Sequence, residues 1–141
     1  MQILDTGSGP AVVLLHGLPS PVSYFAPVLD ALATSHRVLC PIVPGYAGTP
    51  RHPGGYRAGE ITRLIAGELA HRGVTEAAVL GYSYGAYRAL ALALDATLRV
   101  TRLYLLSGVA GFDDRERAER LQVAEALRDE RFALGAALVP I

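Results

Sequence analysis

Five residues constrain this chain more than any others: Gly81-Tyr82-Ser83-Tyr84-Gly85. They stand between Ala77–Gly81, an apolar run that reads as a strand, and Tyr84–Asp95, whose largely apolar pattern reads as a helix. A strand that turns into a helix within so few residues must bend so tightly that a Cβ at either flanking glycine would clash. The turn lifts the Ser83 hydroxyl above the strand end and aims it at the helix N-terminus, where free N–H groups favour developing negative charge. The pentapeptide alone is a weak signal, because small residues cluster in many strand-to-helix turns. Its placement between these two elements makes Ser83 a candidate nucleophile, with a structural serine in a tight turn as the plainer alternative.

The same alternation runs along the rest of the chain. Ala11-Val-Val-Leu-Leu15 is a continuous apolar run rich in β-branched residues, as expected of a strand buried on both faces. Phe25, Val28, Leu29 and Leu32 follow at i, i+3, i+4, i+7 spacing, and Pro27 fits that helix only in its first turn. Arg37–Val43 reads as a second buried strand, closed by Pro44 and Gly45, and the Gly- and Pro-rich stretch from Gly45 to Gly59 reads as a loop. Ile61, Leu64, Ile65 and Leu69 mark an amphipathic helix with Gly73 just past its end, and Val100–Leu106 is a fourth strand. Strands alternating with helices in this way predict right-handed crossovers and a doubly wound, mainly parallel α/β sheet.

Composition narrows the function classes. With 141 residues, 51% apolar and 18% charged, the chain holds at most one domain or one domain cut short, and it is too hydrophobic for disorder. Thirteen arginines balance thirteen acids, so no basic excess is available for a nucleic-acid backbone or an anionic membrane surface. The apolar runs are far too short to span a bilayer, and the N-terminus lacks a signal-peptide pattern, so a cytoplasmic protein is expected. Cys40, the single cysteine, lies mid-strand and reads as a small buried apolar residue. Gly7-Ser8-Gly9 lacks a P-loop lysine and a preceding strand long enough for a dinucleotide fingerprint, so no nucleotide is expected. No cofactor and no metal are expected either.

His16-Gly17-Leu18-Pro19 follows the first of these strands directly. With the Gly81–Gly85 turn, the chain resembles the α/β-hydrolase superfamily, in particular its small esterase, lactonase and haloperoxidase-like members. Pro44-Gly45-Tyr46-Ala47-Gly48-Thr49 resembles the family's P-G-x-G-x-S-type loop, with one extra residue and Thr for Ser. Leu105-Leu106-Ser107 resembles the strand end before the family's helical cap, and Asp114–Leu127 its first cap helix. The resemblance implies residues 1–111 as the N-terminal part of the core and 112–141 as the start of a cap. It also implies Ser83 as nucleophile, with the backbone N–H groups of Leu18 and Tyr84 as the oxyanion hole. His16 would be structural and brace its turn. His36, His52 and His71 do not occupy the position of the family's catalytic histidine and are expected to be solvated. Tyr24, Tyr46, Tyr82 and Tyr84 could line a pocket, although ordinary packing explains them equally well.

In this superfamily the order is Ser, then an acid, then His. Asp113 and Asp114 read as helix N-cap residues, so the triad acid and base are expected beyond Ile141 and the fold is expected to be C-terminally incomplete. Three functions follow. The first is hydrolysis of a small ester or lactone by acyl transfer from the substrate to Ser83, weak in this chain. The second is C–C bond hydrolysis, N-terminal proline release or cofactor-free perhydrolysis on the same scaffold. The third is a non-catalytic interaction protein that associates through the open apolar edge at residues 100–106.

Overall fold

The computed structural model describes residues 1–17, 22–53 and 58–108, together with Asp114, Arg115 and Ala118. Its strands are β1 (Gln2–Thr6), β2 (Ala11–Leu15), β3 (Arg37–Ile42), β4 (Glu76–Tyr82) and β5 (Arg99–Leu106). The helices are α1 (Ala26–Ala33), α2 (Ala58–His71) and α3 (Tyr84–Ala93), with a short 3-10 turn at Val22–Phe25 leading into α1. The chain divides into two units, 1–109 and 110–141; in the second, Asp114, Arg115 and Ala118 are helical and exposed. The remainder of the expected cap helix, Asp113 included, lies outside the described residues.

The strands form one five-stranded sheet in the order β1-β3-β2-β4-β5. β2 pairs parallel with β3 on one side and β4 on the other, and β4 pairs parallel with β5. A central strand has both faces covered, which is why Ala11–Leu15 is apolar at every position. Alternation divides its side chains. Val13 and Leu15 join the cluster under α2 and α3 with Leu39, Ile65, Leu69, Val79 and Leu92. Leu14 faces the other way, against Phe25, Val38 and Cys40 beneath α1. Helices thus lie on both faces, as the doubly wound reading requires.

One element was not legible beforehand. Gln2–Thr6 forms an edge strand antiparallel to β3, with Leu4 opposite Cys40. Its placement depends on distant partners: the Asp5 carboxylate accepts from Arg37 Nε at 3.0 Å and Nη2 at 2.7 Å, and from Arg72 Nη1 at 3.4 Å. A strand therefore does precede Gly7-Ser8-Gly9, but it is an antiparallel edge strand and not the parallel opening strand of a dinucleotide fold.

The ends of the elements follow local rules. Pro27 sits in the first turn of α1. α2 closes in a Schellman arrangement: Gly73 has φ +75°, its N–H bonds to the Ala70 carbonyl, and Val74 N–H bonds to the Leu69 carbonyl at 3.0 Å. At the far side of the sheet, Leu103, Tyr104, Leu105 and Leu106 of β5 are exposed. Among the described residues, no helix is long and apolar enough to cross a membrane.

Candidate active site

The parallel strands end together at one edge of the sheet, the edge where open α/β sheets carry their ligands. β4 reaches it at Tyr82, and α3 departs from it at Tyr84. Ser83 between them has φ +54° and ψ −121°, a conformation that side chains other than glycine's adopt only under strain. Its surroundings hold it there. A Cβ on Gly81 would lie 2.3 Å from the Gly85 carbonyl oxygen, and one on Gly85 would lie 2.0 Å from that of Leu15. Only glycine allows the strand and helix to approach so closely. The Ser83 N–H is tied to the Leu106 carbonyl at 2.8 Å. Serine at a helix N-cap ordinarily accepts a hydrogen bond from the first turn, yet Ser83 makes no such capping bond. Its hydroxyl is not spent on capping.

The loop after β2 presses on the same serine. A Cβ on Gly17 would stand 2.9 Å from Ser83 Cβ and 3.4 Å from Ser83 Oγ. His16 fixes that loop from within the core, where it is buried. Its Nε2 accepts the Val43 N–H at 3.2 Å, so that nitrogen carries no proton, and Nδ1 must be the donor to the Gly17 carbonyl at 2.8 Å. The ring is thereby neutral, with both nitrogens engaged. It braces the turn. Tyr46 meets its edge, with ring centroids 5.7 Å apart. Leu18, whose N–H was expected to serve an oxyanion, lies outside the described residues. Tyr84, the other expected donor, opens α3, so its N–H has no carbonyl within the helix to bond.

The remaining candidates are scattered. His36 precedes β3 and His71 ends α2, both at the opposite edge of the sheet, roughly 15–20 Å from Ser83 by strand length. His52 is at the Ser83 edge, with Nδ1 3.7 Å from Glu60. Cys40 is buried in the sheet, and burial pushes its thiol up to about 12. Ser107 follows β5 with φ +48°, and a Cβ on Gly108 would meet Ala86 Cβ at 2.5 Å. Tyr24 stacks on Tyr82 at 4.6 Å, and their hydrogen bond raises the Tyr24 pKa; Tyr84 stacks on Tyr87 at 5.9 Å. A shallow cavity of about 380 Å³ lies farther along the same edge, between Gln2, Ile42 and the 49–53 loop, and does not include Ser83. Among the described residues no group of histidine, cysteine and carboxylate side chains could hold a metal.

Sequence reading passed over Arg88, which is 3% exposed. Its Nη1 lies 3.5 Å from the His16 carbonyl oxygen, and its guanidinium stacks 4.6 Å from the Tyr84 ring centroid. The available signal was one charge inside the otherwise apolar run Ala86–Leu94.

A profile of the alpha/beta hydrolase fold matches residues 10–137. The magnesium-chelatase 30 kDa subunit of Rhodobacter capsulatus is 37% identical over 100 residues, covering 66% of this chain and 34% of that protein. Epoxide hydrolase 2 of Siraitia grosvenorii is 32% identical over 110 residues, covering 76% of this chain and 35% of its own. Among solved structures, a thermophilic esterase from Thermogutta terrifontis superposes with a TM-score of 0.82 at 28% identity, covering 90% of this chain and 47% of the esterase. The chain thus spans about a third of the length of these curated relatives and about half of the solved one.

Proposed function

Because the chain belongs to the alpha/beta hydrolase fold family, we propose that it carries the nucleophile of a serine hydrolase that cleaves a small ester or lactone by acyl transfer. One observation supports this above the rest: Ser83 is held at φ +54° between glycines that permit no Cβ, with its hydroxyl uncommitted to capping. A strained serine persists only where its surroundings over-determine it.

In this reading Ser83 Oγ attacks the substrate carbonyl carbon. The Tyr84 N–H, and the Leu18 N–H by family resemblance, receive the oxygen as it becomes anionic, each such donor being worth roughly 10²–10³ in rate. Collapse of the tetrahedral species expels the alcohol and leaves an acyl-serine, which water hydrolyses. The nucleophile's identity selects among the chemistries named for relatives. Attack by serine on an epoxide carbon would leave an ether, which water does not cleave; attack on a carbonyl leaves an ester, which it does. Serine therefore favours carbonyl substrates, and C–C bond hydrolysis next to a ketone is the second reading that passes the same test.

The proton on Ser83 needs an acceptor. His16 is already bonded at both nitrogens, His36 and His71 lie at the opposite edge, and His52, in the 49–53 loop at the Ser83 edge, sits beside Glu60. Among the described residues no histidine is seen against Ser83, so this chain is expected to be a slow catalyst. The test compares p-nitrophenyl acetate hydrolysis by the chain and by Ser83→Ala. A rate that falls to the solvent background in the variant supports the assignment, and equal rates refute it. Self-association through the exposed β5 edge is a separate proposal, and a monodisperse monomer in sedimentation would end it.

A further inference from the structure

Arg88 is a charge in an expensive place. It is buried at 3% exposure, its Nε has no hydrogen-bond partner, and no carboxylate pairs with it among the described residues. Burial pulls its pKa below the ordinary arginine value, against the opposing influence of Tyr84 and Tyr46. A neutral side chain of similar length would fill the space without the desolvation cost. Two things distinguish arginine from such a filler here: a hydrogen bond and a field.

Both point at the strained serine. Side chains on a helix lean toward its N-terminus, so Arg88, one turn into α3, lies back over the Tyr84 ring. Nη1 then reaches the carbonyl of His16, the residue before Gly17. Gly17 is the glycine whose position against Ser83 leaves no room for a Cβ. The same His16 carbonyl oxygen faces Gly85, where an added Cβ would lie 2.8 Å away. The guanidinium therefore clamps the start of the loop after β2 onto the first turn of α3, and these are the two segments that meet at Ser83.

We propose that Arg88 is a positioning residue for the oxyanion site: its buried guanidinium fixes the His16–Gly17 peptide against the α3 N-terminus and adds positive potential where negative charge develops beside Ser83. The helix N-terminus already favours an anion there. A cation one turn behind it, shielded from water, adds to that field more than it could at the surface. This inference rests on the serine-hydrolase reading and names a residue that reading does not use.

Phenylboronic acid supplies the test, since a boronate bonded to a serine oxygen is a tetrahedral anion and its formation needs no turnover. Adduct formation is followed by boron-11 NMR for the unmodified chain, Ser83→Ala, Arg88→Met and Arg88→Lys, with melting temperatures measured in parallel. The unmodified chain is expected to form the adduct and Ser83→Ala to form none. Arg88→Met should bind about tenfold more weakly while melting at the same temperature or higher, because the buried unpaired charge is gone. Arg88→Lys should stay within about threefold of the unmodified chain, because the charge is kept. Equal adduct affinity in Arg88→Met overturns the inference and leaves the Ser83 reading intact. Loss of both affinity and melting temperature in Arg88→Met also overturns it, since that is the signature of a packing residue. If Arg88→Met does not fold, Arg88→Lys decides alone: a tenfold loss refutes the proposal and near-retention supports it. Absence of any adduct in the unmodified chain removes the Ser83 reading and this inference with it.

Discussion

His16 links two loops through two hydrogen bonds, and its replacement has a cost that can be worked out. In His16→Ala the Val43 N–H, buried with its residue, loses the only kind of partner that can satisfy it, an acceptor lone pair. An unsatisfied buried donor costs about 1–3 kcal/mol. The Gly17 carbonyl loses its donor from Nδ1, worth about 1 kcal/mol. Removal of a ring packed edge-on against Tyr46 leaves a cavity worth about 1–2 kcal/mol more. The sum is about 4 kcal/mol, a large share of the 5–15 kcal/mol by which a domain is typically stable. With a urea m-value of about 1.5 kcal/mol/M, the unfolding midpoint should fall by about 2–3 M. Two amides separate the contributions. The glutamine oxygen of His16→Gln can stand where Nε2 accepts from Val43, whereas His16→Asn can restore only the donor to Gly17. His16→Gln should therefore be the milder of the two by about 1 kcal/mol. An alanine cost below about 1 kcal/mol, or an asparagine milder than the glutamine, would refute the hydrogen-bond account.

Three more outcomes are expected. Ser83→Gly should raise stability by about 1 kcal/mol in chemical denaturation, because glycine adopts φ +54°, ψ −121° without strain, and should abolish hydrolysis; a destabilised variant would contradict the strain. Cys40, with its thiol pushed up to about 12 by burial, should resist a disulfide reagent at pH 8 in the folded chain and react fully once unfolded; rapid native labelling would contradict its burial. Asp5 is held below its ordinary value chiefly by the hydrogen bond from Arg37, so its stabilisation is present above the unfolded carboxylate value and disappears as pH falls through the lowered one. Asp5→Asn should accordingly flatten the loss of stability as pH falls below the ordinary aspartate range, read as a smaller drop in unfolding midpoint on acidification.

Features encoded by neighbours in sequence were readable in advance, and those encoded by distant contacts were not. The Gly81–Gly85 turn declares itself because two glycines, a strand and a helix lie within a few residues of one another. The apolar run at Ala11–Leu15 identified a central strand for the same reason, and its flanking by β3 and β4 follows. Gln2–Thr6 has no such signature. It is mostly exposed, and it is a strand because β3 offers a free edge and Arg37 and Arg72 hold Asp5. Arg88 escaped notice for a related reason. Its burial is created by Tyr84 one turn away and by His16, 72 positions earlier, and helical spacing cannot report that second contact. Leu18, legible only through resemblance, falls outside the described residues.

The hydrogen bond from Ser83 to Leu106 ties the strained turn to the outermost strand of the sheet. Edge strands open more readily than central ones, and each opening of β5 releases the Ser83 amide from its partner. The lifetime of the strained turn is therefore bounded by the lifetime of β4–β5 pairing, and hydrogen exchange at Ser83 should track that of the β5 amides. For a ligand that binds Ser83 only while β5 is paired, any strand that docks beside β5 and damps its opening tightens that binding by the same factor that the ligand tightens the docking. A strand bound on that side would also tune the turn at Ser83.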